Sequence, residues 1–431
     1  MKDFGRSDDP RVQAQLDRLA ALSLPQGRLG LETMRALMER LGNPHRSLPP
    51  VFHVAGTNGK GSTCAFLRAM LEAEGYRVHV TTSPHLVRYN ERIRIAGELI
   101  SDEALAELLE EVLDAGSDLA PSFFEVTVAA AFLAFSRTPA DACVVEVGLG
   151  GRFDATNVLE AEALAACGIA SLGIDHERFL LVPEDGVPQE PIARIAFEKA
   201  GIAKPGVPLV TLDYATAPSK AVIDQAMTAG ARPALRGLDW HSAADEGGLH
   251  YSDRHGSLNL PQPGMPGPHQ PINAALAVAM LRHQQLVSVS PESMASGLGS
   301  ASWPARLHRL EQGPLTGARE VWLDGGHNPN AAAMLAAHFQ GQKLHLVIGM
   351  IEGKDPQGFV ETLGAIPLST TVVPVPTHEW FGADAFCPVA TFADDVPAAL
   401  DALPDDGVPV LIAGSLYLAG EVLRLNDELP D

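Results

Sequence analysis

Basic residues are scarce in this chain. Its 431 residues include 31 lysines and arginines against 53 aspartates and glutamates, a formal charge of −22 at pH 7. Nucleic acids and anionic membranes attract basic surfaces, so neither is an expected partner. A polyanionic small molecule would have to be held by local cations and backbone donors against the mean field. Long hydrophobic runs are also missing, and none is long enough to cross a bilayer. The first residues, Met1-Lys2-Asp3-Phe4-Gly5-Arg6, lack the apolar core of a signal peptide. The four cysteines, Cys64, Cys143, Cys167 and Cys387, are scattered, and no pair has metal-ligand spacing. Cys143 lies in an apolar stretch and reads as a small buried hydrophobe. There is no H-E-x-x-H, no nucleophile elbow with a Ser-His-Asp order, and no repeat, heptad or low-complexity tract. These absences lead to the expectation of a soluble, reduced, cytoplasmic protein.

What is present is a globular composition, 46% hydrophobic, in a chain long enough for two domains. Apolar runs at 51–55, 78–81, 142–147 and 164–170 read as parallel strands buried on both faces. Helical patterns at 63–73, 102–114 and 124–135 lie among them, the second started by Ser101-Asp102-Glu103. A further strand is expected at 205–212, and further helices at 219–229 and 272–283. This βαβ series predicts a doubly wound, mostly parallel sheet. Over 232–270 the periodicity weakens, and short antiparallel strands or a surface excursion are expected. Ser, Gly and Pro304 accumulate between Val289 and Arg306, which marks a domain boundary. Beyond it, strands at 320–323, 343–348, 370–375 and 408–413 alternate with helices at 331–339, 395–403 and 415–424. The expectation is an α/β protein with an ATP-binding domain over 1–298, including the excursion, and a smaller Rossmann-like α/β domain over 299–431.

The most informative segment is Val51-Phe52-His53-Val54-Ala55-Gly56-Thr57-Asn58-Gly59-Lys60-Gly61-Ser62-Thr63. A strand runs through a glycine turn into a helix, whose N-terminal N–H groups and dipole favour an anion. Lys60 adds a mobile charge, and Ser62 and Thr63 add hydroxyls for phosphate or Mg²⁺. A nucleoside triphosphate is the implied ligand. The general phosphate-loop pattern is not met in full, because Gly61 separates the lysine from the hydroxyl residue.

Five further clusters follow. Thr82-Ser83-Pro84-His85-Leu86 ends a predicted strand, where ligands of open α/β sheets gather, although by itself it reads more readily as a turn with a surface histidine. Glu146, in Val144-Val145-Glu146-Val147-Gly148-Leu149-Gly150-Gly151-Arg152-Phe153-Asp154-Ala155-Thr156-Asn157, ends an apolar strand where P-loop enzymes keep an acidic Mg²⁺ partner. An unpaired charge there would be costly, which argues against a stray carboxylate. Ile174-Asp175-His176 follows another strand, and His176 reads as a metal ligand or as polar packing. Glu198-Lys199 near a helix end reads by itself as a solvated face. Asp324-Gly325-Gly326-His327-Asn328-Pro329 flanks a glycine turn, with Asn328-Pro329 as a helix start.

Taken together, these clusters resemble the folylpolyglutamate synthase/dihydrofolate synthase family, a branch of the Mur ligase superfamily. The resemblance rests on the GTNGKGS loop, the Ser-Pro-His-Leu stretch running to Tyr89-Asn90-Glu91-Arg92-Ile93, the Glu-Val-Gly-Leu-Gly-Gly-Arg-x-Asp-Ala-Thr-Asn block, Asp-His, Glu-Lys-Ala-Gly-Ile and Asp-Gly-Gly-His-Asn-Pro-Asn-Ala. It spans nearly the whole chain and accounts for Gly61. It implies ATP-dependent addition of L-glutamate to dihydropteroate and to reduced folates through an acyl phosphate. Single-activity dihydrofolate or folylpolyglutamate synthases are the near alternatives, and a nucleotide-binding protein without ligase activity is a distant one. By resemblance, Gly59, Lys60, Gly61 and Ser62 cradle the triphosphate. Asn273, Arg306 and Asp324 contact the nucleotide, and His327 stands beside them. Ser83, Glu146 and His176 correspond to ligands of Mg²⁺ or Mn²⁺. Lys199 corresponds to a lysine that the family carbamylates to hold a second ion, which overrides its reading as a solvated face. Leu29, Ser122, Phe123, Phe124, Glu125, Phe153, Asp154 and Ala155 correspond to the pterin site. Phe123 and Phe124 suit stacking on a flat ring, although an aromatic pair also suits a core. The family suggests a monomer. Two departures concern the acceptor: Arg28 replaces the usual acid, and a longer loop, Val182 to Pro191, follows the Asp-His pair.

Overall fold

The computed structural model describes residues 5–22 and 30–430, which form two compact units. The first runs to Pro84 and includes Arg88–Gly264 and Gln270–Ser302. The second consists of His85–Val87, Met265–His269 and the chain from Trp303 onward. Among the described residues no helix is long and apolar enough to cross a membrane.

The first unit is built on eight strands: β1 Val51–Ala55, β2 Val78–Thr81, β3 Ile93–Ile95, β4 Glu98–Leu99, β5 Ala142–Glu146, β6 Leu164–Ile169, β7 Pro208–Thr211 and β8 Arg232–Leu235. Their order is β4-β3-β2-β5-β1-β6-β7-β8. From β2 to β8 every pairing is parallel, while β3 and β4 form an antiparallel edge. Every residue of β1, β2, β5, β6 and β7 is buried, as expected of strands covered by helices on both faces. Neighbours of β1 lie on opposite sides and come from later in the chain. Its C-terminal end is therefore a topological switch point, the usual crevice for ligands.

The irregular stretch begins later than the sequence suggested. Arg232–Leu235 extends the parallel sheet as its edge strand, where Pro233 is tolerated because one side of the strand needs no ladder donors. The antiparallel part is confined to β9 Trp240–Asp245, β10 Gly248–Asp253 and β11 Gly256–Leu260. The stretch between Val289 and Arg306, read as punctuation, contains a helix over Pro291–Ser300, capped by the Ser290 hydroxyl on the Ser293 N–H at 3.2 Å. A side chain at Gly297 would collide with the backbone of Met70, so the glycine permits a close helix crossing.

The second unit holds β12 His308–Arg309, β13 Val321–Leu323, β14 Leu344–Ile348, β15 Pro367–Val372, β16 Thr391–Phe392 and β17 Val410–Ala413. Their order is β12-β13-β17-β14-β15-β16, parallel except for β12. Val347 and Ile412 pack on one face, against the helix Leu416–Leu425. Leu346, Ile348 and Leu411 pack on the other, against Pro329–His338 and Pro356–Leu363. A sheet buried on both faces is what the uninterrupted apolar runs called for.

Candidate functional site

The glycine turn after β1 has little freedom. Gly56 lies at φ 152°, and a Cβ there would come within 2.8 Å of the Ala170 side chain. The Thr57 N–H donates to the Ser171 carbonyl at 2.8 Å, and the Thr57 hydroxyl donates to the Gly173 carbonyl at 2.9 Å. These bonds pin the turn to the chain leaving β6. Gly59 lies at φ 84°, the left-handed region, just before the helix Lys60–Ala73. A Cβ on Gly59 would strike the Asn273 amide, so Asn273 abuts the turn. Behind it, the Asn273 Nδ2 donates to Gln270 Oε1 at 3.2 Å, and the Gln270 Nε2 donates to Ser62 Oγ at 3.3 Å. All three side chains are buried. No described side chain caps the helix, so the N–H groups of its first turn point into the space that an anion would fill.

The registers of β1, β2 and β5 bring the next residues beside this turn. Val54 pairs with Glu146, and Thr81 pairs with Val145. Ser83 thus follows β2 directly next to the end of β5. Its N–H donates to Glu146 Oε2 at 3.1 Å, while Glu146 Oε1 lies 3.9 Å from Lys60 Nζ. Glu146 is 6% exposed, and its charge is met by these groups. Ser83, Glu146 and Lys60, singled out separately in the sequence, form one cluster.

Lys199 is buried near the end of the helix Pro191–Ala200. Burial, helped by Lys60 and opposed by Asp175, Asp154 and Glu198, brings its amine down to about 7. Lys199 therefore shares one electrostatic neighbourhood with Lys60 and Asp175. His176 adopts a left-handed backbone at φ 54°, and its N–H donates to Asp175 Oδ1 at 2.8 Å. Its ring lies 3.9 Å from the same carboxylate. Among the described residues no three His, Cys, Asp or Glu side chains come close enough to hold a metal ion by themselves. The expected set includes only two such residues, Glu146 and His176. The remaining donors would be the Ser83 hydroxyl and oxygens of the nucleotide or water, a set suited to a hard ion such as Mg²⁺.

Of the expected pterin residues, Phe124 comes beside Gly148, just past the end of β5. Ser122 and Glu125 form a capping box: the Ser122 N–H donates to Glu125 Oε2 at 2.7 Å, and the Glu125 N–H donates to Ser122 Oγ at 3.3 Å. Their described bonds thus shape the start of the helix Phe123–Arg137. The Phe124 ring lies where a Cβ on Gly148 would fall, so that glycine makes room for the ring. Phe123 meets Tyr89 edge-to-face at 5.8 Å, with the Arg92 guanidinium 5.6 Å from its centre. Asp154 is buried and accepts from the Leu149 N–H at 2.8 Å, the Thr156 N–H at 3.0 Å and the Thr156 hydroxyl. Burial raises its carboxyl, and these bonds oppose the rise. Because the Thr156 hydroxyl gives its proton to Asp154, the His53 Nε2, 2.8 Å away, is the donor to Thr156. Burial, with a lesser push from Lys204, holds His53 neutral at about 3. Ala155 is buried at the start of a short 3₁₀ turn, and Phe153 is half-buried beneath Arg152. Leu29 and Arg28 lie outside the described residues.

In the second unit, Asp324 Oδ2 accepts from the Leu307 N–H at 2.8 Å, and its Oδ1 accepts from the Gly326 N–H at 2.7 Å. The carboxylate therefore organises the turn that carries His327. Arg306 lies against Gly325, where a Cβ would come 2.8 Å from its Nη1. The His327 Nδ1 donates to the Gly325 carbonyl at 3.1 Å, and Asn328 caps the helix Pro329–His338. Sequence reasoning gave no role to Gln270, Asp175 or His269. Gln270 opens a helix that is apolar apart from Asn273 and the final Arg282, and Asp175 stood within a quoted cluster, so both left a signal. His269, whose ring is kept neutral by burial despite Asp324, left none.

No family model matches the chain. It is similar to the dihydrofolate synthase/folylpolyglutamate synthase of Escherichia coli, 34% identical over 93% of this chain and 92% of that protein. The enzyme of the same name from Bacillus subtilis is 33% identical over 92% of this chain and 94% of its own. Among solved structures, E. coli FolC in complex with DHPP and ADP superposes with a TM-score of 0.85 at 32% identity, covering 96% of this chain and 97% of that one. A bifunctional folylpolyglutamate synthase/dihydrofolate synthase with Mn, AMPPNP and L-glutamate bound superposes with a TM-score of 0.83 at 31% identity, covering 97% and 99%.

Proposed function

Because the chain belongs to the dihydrofolate synthase/folylpolyglutamate synthase family, we propose that the half-buried Lys60, with the buried Glu146 and Lys199 around it, serves ATP-dependent addition of L-glutamate to dihydropteroate and to reduced folates. The chain is an ATP-dependent ligase of this family. In the reaction an acceptor carboxylate oxygen attacks the γ-phosphorus of ATP, and the β–γ bridging oxygen leaves with ADP. The amine of glutamate then attacks the acyl carbon, inorganic phosphate leaves, and the amine proton is lost.

Each residue has a task in that scheme. The N–H groups after Gly59 and the ammonium of Lys60 hold the triphosphate and meet the charge spreading over the transferred phosphoryl group. Ser83, Glu146 and His176 would hold Mg²⁺ or Mn²⁺. The ion would screen the phosphate charge that an acidic protein otherwise repels. Phe124, against Gly148, and Phe153, under Arg152, would belong to the pterin site. Asn273 sits against the phosphate turn, and Arg306, Asp324 and His327 form the nucleotide-contacting turn of the second unit. Lys199, with its amine near neutral pH, is partly uncharged, and only an uncharged amine adds CO₂. The ammonium first loses one proton; addition of CO₂ to the amine then forms an N–C bond and releases a second, so that a cation becomes a carbamate anion able to share a second ion.

The observation that carries this reading is Lys60 at the switch point of the sheet, 3.9 Å from the buried Glu146 and electrostatically felt by the buried Lys199. ADP release in the presence of L-glutamate tests it. Dihydropteroate, a reduced folate or both should stimulate release. If neither does, the reading fails.

A further inference from the structure

We propose that Glu184 is a positioning residue, which through a ring of ion pairs fixes the turn carrying Phe153 and Asp154 against the helix end carrying Lys199. The proposal rests on the ligase reading above. Glu184 lies in the long loop that sets this sequence apart, and nothing in the reaction scheme uses it directly.

The ring has four members with alternating charge. Glu184 Oε1 accepts from Arg152 Nη1 at 3.1 Å, and its Oε2 accepts from Arg152 Nη2 at 2.5 Å and from Arg194 Nη2 at 2.8 Å. Across the ring, Glu198 Oε1 accepts from Arg152 Nη2 at 2.8 Å and from Arg194 Nε at 2.9 Å. Glu198 Oε2 accepts from Arg152 Nε at 3.0 Å. The Arg194 and Glu198 side chains are only 7% and 6% exposed, so water screens these charges little. Paired contacts of this kind fix orientation as well as position.

Arg152 is the joint between the two structures. Its N–H donates to the Glu198 carbonyl at 2.8 Å. The Asn157 Nδ2 bridges the carbonyls of Arg152 and Gly201, each at 3.0 Å. Gly151 has no room for a Cβ, which would fall 2.9 Å from the carbonyls of Glu198 and Lys199. The Arg152 guanidinium covers the Phe153 ring at 4.3 Å. The position of Phe153 therefore follows that of Arg152, and the end of the Lys199 helix is tied to the same residue.

Arg194 and Glu198 are held on one helix, and Arg152 is held by its turn. Glu184 alone comes from a loop. Without its carboxylate, two guanidinium groups face the single carboxylate of Glu198 and repel each other. The Phe153 turn then loosens. The phosphate turn has its own bonds to Ser171 and Gly173 and does not depend on the ring.

Two variants, Glu184→Gln and Glu184→Ala, test the proposal, with the exposed neighbour Asp185→Asn as control for loss of loop charge. Both Glu184 variants should raise KM for the pterin acceptor about tenfold, the size of a typical coupling within one ion-pair network. The melting temperature should fall, because buried guanidinium groups lose a partner, while KM for ATP stays close to wild type; Asp185→Asn should change neither. Hydrogen exchange supplies a readout that needs no turnover: amides of 151–157 should exchange faster in Glu184→Ala, while those of 57–63 should not. An unchanged acceptor KM with unchanged exchange overturns the proposal. So do rises in both KM values that track a fall in melting temperature, which mark a general structural prop. Wild-type protein that no acceptor stimulates sinks the ligase reading instead, and exchange at 151–157 then still decides the role of Glu184.

Discussion

A lysine removed from water resists its charge, and Lys199 meets this resistance twice, from burial and from the ammonium of Lys60. Its folded value of about 7 lies well below the 10.5 of a free lysine. Between these values the unfolded chain holds a proton that the folded chain has released, so stability rises with pH. Below 7 both forms are protonated and the folded state bears the full cost of the buried charge. The gap in unfolding free energy between Lys199→Met and wild type in CO₂-free buffer should therefore narrow from pH 6.5 to pH 9. Urea titrations at several pH values measure it, and a pH-independent gap would show an ordinary lysine. The solvated-face reading of Glu198-Lys199 failed for a physical reason. Adjacent charged residues look alike whether water or a folded cluster surrounds them, and the Arg152 turn that covers this pair is distant in sequence.

Among the elements, the phosphate turn was legible because its conformation and its chemistry ask for the same residues. Gly59 stands in the left-handed region and beneath Asn273 at once. Gly59→Ala should weaken binding of a non-hydrolysable ATP analogue by about tenfold or more, roughly 1.4 kcal/mol. Calorimetric titration checks this, with circular dichroism to show an intact fold. The strands β1, β2, β5 and β6 were equally legible, since burial on both faces leaves a run of apolar residues. The helix Pro291–Ser300 was not, because Gly297 reads as a break along the chain but serves a close crossing in space. Gly297→Ala should destabilise the fold by roughly 1–3 kcal/mol, the usual cost of overpacking, seen as a lower urea midpoint with an unchanged slope. Edge strand β8 was hidden for a related reason: an edge accepts Arg232 and Pro233, which a central strand would not.

At the scale of the whole molecule, the chain order of the motifs pointed to the family, while the grouping of segments did not follow chain order. His85–Val87 and Met265–His269 belong to the second compact unit although each is flanked by residues of the first. Contacts between segments far apart along the chain leave no periodic trace, so the sequence offered no warning of this. The order of the motifs was informative because all but Glu-Lys-Ala-Gly-Ile, which ends a helix, follow the C-terminal end of a strand, where the fold gathers its ligands. With a net charge of −22, the molecule depends on local groups to hold a triphosphate beside a carboxylate acceptor. The central claim is that the γ-phosphoryl group is transferred to that carboxylate. An acceptor labelled with ¹⁸O in the reacting carboxylate, turned over with ATP and L-glutamate, tests this most directly. Transfer predicts one ¹⁸O in each inorganic phosphate released, and the other retained in the new amide. Phosphate free of label would contradict it.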